Sequence, residues 1–154
     1  MKLSDQIMLS VIQGVIDNFL KPKFISLGMN ATGSWLNSIE ARVVNGNGEI
    51  WGNDYTYWLA NGRKGGTAPP VSALVPWVQA KFGIGGKEGL SIAFAVAKKI
   101  KNEGTKYYPQ GTDLLEVLKS KEVLDYIYEK IGFAINVEIA KRLKKQINDT
   151  FTRP

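Results

Sequence analysis

From Val123 onward an apolar residue recurs at every fourth position: Ile127, Ile131, Ile135, Ile139, Leu143, Ile147 and Phe151. That spacing predicts one long helix over 120–149. A step of four residues overshoots a full turn by roughly 40°. Over seven such steps the row winds most of the way around the helix. A small domain has too little surface to cover a helix on every side. Two outcomes fit the pattern: Gly132 breaks the helix, or its C-terminal half packs on a neighbouring subunit. The second is the preferred reading, and it makes Ile135, Ile139, Leu143 and Ile147 the expected subunit interface.

Other periodicities fill in the chain. Leu3, Ile7, Val11, Val15 and Phe19 form one row, and Met8, Ile12, Ile16 and Leu20 an adjacent one. They predict a helix over 4–20 with a wide apolar stripe, stopped by Pro22. Residues 24–34 read as irregular. Alternation from Leu36 to Val43 predicts a strand. Asn45-Gly46-Asn47-Gly48 is a hairpin signal, because Asn and Gly accept the positive φ of a tight turn. Glu49–Trp51 is then the return strand. Alternation from Tyr55 to Ala60 predicts a third strand. Asn61–Thr67 reads as a flexible basic loop. Residues 71–75 are expected to form a tight turn, with Pro76 in the first turn of a helix ending at Phe82. Gly83–Gly89 reads as a glycine-rich loop, 90–102 as a helix capped by Gly104, and 113–118 as a short helix. The expected fold is α+β: helices packed on a small antiparallel β-sheet, with a long C-terminal helix. At 154 residues and 44% hydrophobic content the chain is expected to be one domain, 1–154, with its own core.

Composition narrows the chemistry. The sequence contains neither Cys nor His. Disulfides, thiolate chemistry and the usual acid–base catalyst near neutral pH are therefore excluded. No cofactor or metal is expected, and the chain is not read as an enzyme. Charge is uneven: residues 1–62 hold 4 basic and 5 acidic side chains, whereas 63–154 hold 16 and 9. The excess suggests an anionic partner such as nucleic acid, and a solvated basic surface explains it equally well. The start of the chain has the marks of neither a signal peptide nor a membrane span, so a cytosol-like compartment is expected. Asn30-Ala31-Thr32 and Asn148-Asp149-Thr150 match a glycosylation pattern that has no use without secretion.

Candidate sites are few. Gly83-Ile84-Gly85-Gly86-Lys87 lacks the spacing and the following Ser or Thr of a phosphate loop, and Glu88 stands where a dinucleotide loop has Gly. Asp113 and Glu116 are spaced to share a helix face, as helix-terminal charges do. Glu49 and Asp54 flank Trp51 at a surface hairpin. Trp51, Tyr55, Tyr57 and Trp58, with Trp35 and Trp77, suit core or interface packing better than base stacking. Lys98, Lys99, Lys101 and Lys106, and again Lys141, Arg142, Lys144 and Lys145, read as solvated faces. Arg63 and Lys64 stand apart, in a glycine-flanked loop able to reach a polyanion.

One ordered run crosses the middle of the chain. It starts at Thr32-Gly33-Ser34 and Leu36-Asn37-Ser38-Ile39. It passes through Tyr55-Thr56-Tyr57-Trp58-Leu59-Ala60-Asn61-Gly62-Arg63, then Pro69-Pro70-Val71, Leu74 and Trp77-Val78. It ends at Ile92–Ile100 and Glu103-Gly104-Thr105-Lys106. Over 32–106 this order resembles the small neck proteins of tailed bacteriophages, the head–tail joining or tail-completion family. Tyr107-Tyr108-Pro109 departs from the short apolar motif that often follows in that family. The resemblance implies a structural virion protein assembled in the bacterial host cytoplasm. It implies a homo-oligomeric ring between portal and tail, touching portal or adjacent neck and tail proteins, with genomic double-stranded DNA passing through and no membrane contact. Arg63 and Lys64 would face the DNA or a neighbouring ring. The alternative is a nucleic-acid-binding module of a phage or bacterium, or a small interaction protein.

Overall fold

A computed structural model describes residues 3–151, with 150 and 151 described by their backbone alone. The Phe151 side chain, last in the four-residue row, thus lies outside the described residues.

Helix α1 (Asp5–Val15) begins where the Ser4 side chain accepts the Ile7 N–H, which satisfies one of the free donors of the first turn. It does not stop before Pro22. Residues Ile16–Leu20 widen into a π-helical turn, with the Lys21 N–H bonded to the Ile16 carbonyl, and α2 (Lys21–Ser26) carries Pro22 in its first turn. A proline inside a helix clashes with the carbonyl four residues back. The widened turn shifts the bonding by one residue ahead of Pro22 and relieves that clash. The reward is burial: Ile16, Leu20 and Phe24 all face the core.

After Gly33, in the left-handed region at φ 74, comes α3 (Ser34–Ser38). The expected strand from Leu36 therefore starts late, at Glu40. Trp35 and Ile39 are both buried and four residues apart, a helical spacing that outweighs the alternation. Strands β1 (Glu40–Val44) and β2 (Asn47–Trp51) pair antiparallel, Val44 opposite Asn47. The turn is Asn45-Gly46, with φ 53 and 79, as the hairpin signal predicts. Ala41 and Ile50 are partners in register and both pack against the core.

The third expected strand is a helix, α4 (Tyr55–Asn61). Thr56, Leu59 and Ala60 face inward while Tyr55, Tyr57 and Trp58 are exposed. That is a helical face, and the apparent alternation came from outward aromatics. The Trp35 indole N–H donates to the Thr56 hydroxyl (2.9 Å), which donates to the Asn53 carbonyl (2.8 Å). These bonds fix the start of α4 on α3.

Helix α5 (Val71–Phe82) likewise begins five residues before Pro76 instead of at it. Val71, Leu74, Val75 and Val78 make one inward face, and Pro76 sits on the exposed side. There, water can satisfy the Ser72 carbonyl that the proline leaves without a donor. Helix α6 (Gly86–Glu103) starts four residues earlier than expected and packs on α5 through buried Ala93 and Ala97. Residues 105–112 form a loop. The short helix expected at 113–118 is a 3₁₀ turn at Glu116–Lys119. Helix α7 (Lys121–Phe151) runs unbroken through Gly132.

The fold is α+β, helices on a two-stranded antiparallel sheet with a long C-terminal helix. Its main core joins Ile16, Leu20, Phe24, Trp35, Ile39, Leu59 and Leu114. Each fully buried aliphatic side chain contributes about 1.5–3 kcal/mol. Phe24 and Trp35 stack with ring centroids 4.3 Å apart.

Candidate functional site

Helix α7 has two halves with different surroundings. The first packs on α1. Val123 is 1% exposed, and the Tyr126 ring meets Phe19 edge-on at 5.4 Å. Gly14 makes room for this approach: a Cβ there would lie 1.9 Å from the Tyr126 hydroxyl. Ile127, Ile131 and Ile135 are half-buried. Beyond them the helix leaves the body. Every described side chain from Ile139 to Asp149 is exposed, including Ile139 at 44%, Leu143 at 54% and Ile147 at 55%. Of the four residues expected at a subunit interface, three are bare apolar side chains on a free helix and Ile135 marks where it departs.

An apolar groove of about 300 Å³ lies among α1, β2 and the first half of α7. Its walls are Leu3 ahead of α1; Ile7, Met8, Val11, Ile12 and Val15 from α1; Gly48 and Ile50 from β2; Leu118; and Val123, Ile127 and Ile131 from α7. No lining residue carries a polar side chain. Small-molecule sites place a few polar groups to orient the ligand. This groove has none and suits an aliphatic helix face.

Arg63 and Lys64 sit in a loop that is tied down, not flexible. The Arg63 N–H donates to the Thr105 hydroxyl (2.8 Å), its carbonyl accepts the Thr105 N–H (2.8 Å), and the Gly66 N–H donates to the Lys101 carbonyl (2.7 Å). Gly65 and Gly104 allow this contact, since a Cβ on either would meet backbone at 2.9 or 2.5 Å. The Arg63 guanidinium donates to its own loop at the Thr67 carbonyl (3.2 Å). Lys64 is exposed. The two residues are neighbours in sequence with different work. Arg63→Ala is expected to cost about 1 kcal/mol through the lost Thr67 bond. Lys64→Ala is expected to stay within about 0.5 kcal/mol of the parent. Urea unfolding measures both.

The other candidates dissolve into structure. Asp113 accepts from Lys23 (2.5 Å), which holds its carboxyl below the ordinary 3.8, while Glu116 accepts from Lys119 (2.9 Å). The pair does not converge. Glu49 accepts the Trp51 indole N–H at 2.6 Å. Gly83 ends α5 at φ 70 and Gly86 opens α6 at φ 62, so this glycine run is the turn of a helical hairpin. Trp35 is core. Trp51, Tyr55, Tyr57 and Trp58 are exposed, with Arg42 over the Trp51 ring at 4.5 Å. Among the described residues no group of three carboxylates is placed to hold a metal ion, and no helix is long and apolar enough to cross a membrane.

Sequence reasoning gave α1 a wide apolar stripe without asking what covers it, and so missed the groove. The signal was its width: two complete rows on one helix, more than a single neighbour covers. Compared with protein-family models, curated proteins and solved structures, the chain finds no match.

Proposed function

We propose that the chain is a structural subunit of the neck of a tailed bacteriophage, a ring joining portal to tail around the DNA channel. The observation that carries this reading is the free apolar end of α7. A helix that projects Ile139, Leu143 and Ile147 into water gains from burying them on another protein, at about 25 cal/mol per Å². The order of motifs over 32–106 supplies the kind of assembly. The subunit's role is to bind and be bound, with no chemical step of its own. The test is immunogold labelling of virions made by the genome that encodes the chain. Label at the head–tail junction is expected. Label confined to the capsid, the tail tip or the host cell overturns the reading.

A nucleic-acid-binding module is the second reading. Exposed Lys98, Lys99 and Lys101 on one end of α6 favour it. It requires duplex affinity of the isolated chain that falls steeply with salt, as phosphate contacts release counterions.

A further inference from the structure

We infer that the free end of α7 docks in the apolar groove of a second copy of this chain, head to tail. The inference rests on the proposed reading only in requiring that the chain self-associates.

Geometry excludes the groove of the same molecule. Helix α7 is unbroken from Lys121 to Phe151. Its first half, Val123 to Ile131, is itself a wall of the groove. Ile139 to Ile147 lie sixteen positions further along the same rod, roughly 24 Å away at 1.5 Å per residue. They cannot fold back without breaking the helix, so the occupant comes from another molecule.

The dimensions match. The α1 wall from Ile7 to Val15, the α7 wall from Val123 to Ile131 and the free stripe from Ile139 to Ile147 each span eight positions. Each is roughly 12 Å long, two turns and a little more. Helix-in-groove recognition uses anchors at this spacing. The free stripe is flanked by charge that the groove lacks: Arg142 and Lys144 stand roughly 100° to either side of Leu143. Two walls of the groove, α1 and β2, come from residues 1–62, which hold 5 acidic side chains against 4 basic, whereas 63–154 are net +7. Asp5 is exposed at the start of the α1 wall. Within a Debye length of contact, the basic flanks of the stripe therefore meet the less basic half of the next chain and the exposed Asp5 carboxylate.

Such a contact is heterologous. Each subunit offers one groove and one helix end; two chains that exchange ends reciprocally stop at two, and otherwise the contacts propagate. They close into a ring if the rotation permits and otherwise form a filament. An α7-to-α7 pair would be isologous and would stop at two.

Two variants separate these cases. Ile7→Glu places a carboxylate in the groove, and Leu143→Glu places one on the free stripe. Leu143 is 54% exposed and Ile7 is partly buried, so circular dichroism and a urea midpoint check that each variant keeps its fold. The expected result by native mass spectrometry is that each variant alone is monomeric. Mixed together they give a one-to-one dimer and nothing larger, through the single intact groove and the single intact helix. If Ile7→Glu assembles like the parent, or the mixture stays monomeric, the proposal is overturned. If the parent chain is monomeric at its highest soluble concentration, the docking proposal is also overturned, while a neck ring built only upon a portal survives. If the mixture gives the dimer but the parent forms open filaments or a two-chain exchange, docking stands and the neck reading falls.

Discussion

Gly62→Ala is expected to destabilise the fold by about 3–5 kcal/mol, the sum of backbone strain and overpacking. Gly62 is buried and ends α4 at φ 72 and ψ 166, a combination open to glycine almost alone. A Cβ there would lie 2.5 Å from the Tyr108 nitrogen and 2.6 Å from the Tyr107 carbonyl carbon. Both are backbone atoms, so no rotamer change relieves the contact. The loop it displaces is the one that closes on α4: the Thr112 N–H donates to the Ala60 carbonyl (2.6 Å) and the Thr112 hydroxyl to the Leu59 carbonyl (2.9 Å). Gly28 is the control. It has a similar φ, 67, with nothing within 4 Å of an added Cβ. Gly28→Ala carries strain without the clash and is expected to cost about 1–2 kcal/mol. Urea unfolding of both variants measures the difference. Equal losses would show that the close approach of 107–108 contributes nothing.

Trp35→Ala is the second large effect, expected at about 3–5 kcal/mol. The indole is buried between Phe24, on which it stacks at 4.3 Å, and the start of α4, where it donates to Thr56. Truncation opens a cavity and leaves the Thr56 hydroxyl without its donor. Trp35→Phe keeps a ring against Phe24 and loses the indole bond, and is expected to cost about 1–2 kcal/mol. If the two substitutions are equally damaging, the hydrogen bond matters more to the fold than the packing.

The hairpin was legible because Asn45-Gly46 has one low-energy use between two strands. The unbroken α7 was legible because its row has one period throughout. Local pattern failed where burial ran against it. Tyr55, Tyr57 and Leu59 alternate, yet the inward set is Thr56, Leu59 and Ala60, and a hydroxyl bonded to Trp35 is invisible to a hydrophobicity pattern. Pro22 looks like a helix stop and Pro76 like a helix start. The fold keeps the helix at both, with a widened turn at the first and exposure to water at the second, because the apolar faces that continue past them offset the lost bonds. The Arg63 loop looks flexible from its glycines. Those glycines instead let the loop press against the end of α6. The apolar row was legible as longer than one domain covers, and Ile139, Leu143 and Ile147 are indeed exposed; the groove was not legible, because its α1 wall also builds the core.

The most direct test of the central claim, that this chain assembles through the free end of α7, is native mass spectrometry of the purified protein at moderate salt. The account predicts a closed ring of identical subunits that Leu143→Glu reduces to monomers. A parent protein that remains strictly monomeric at every concentration, or a ring that Leu143→Glu leaves intact, contradicts it.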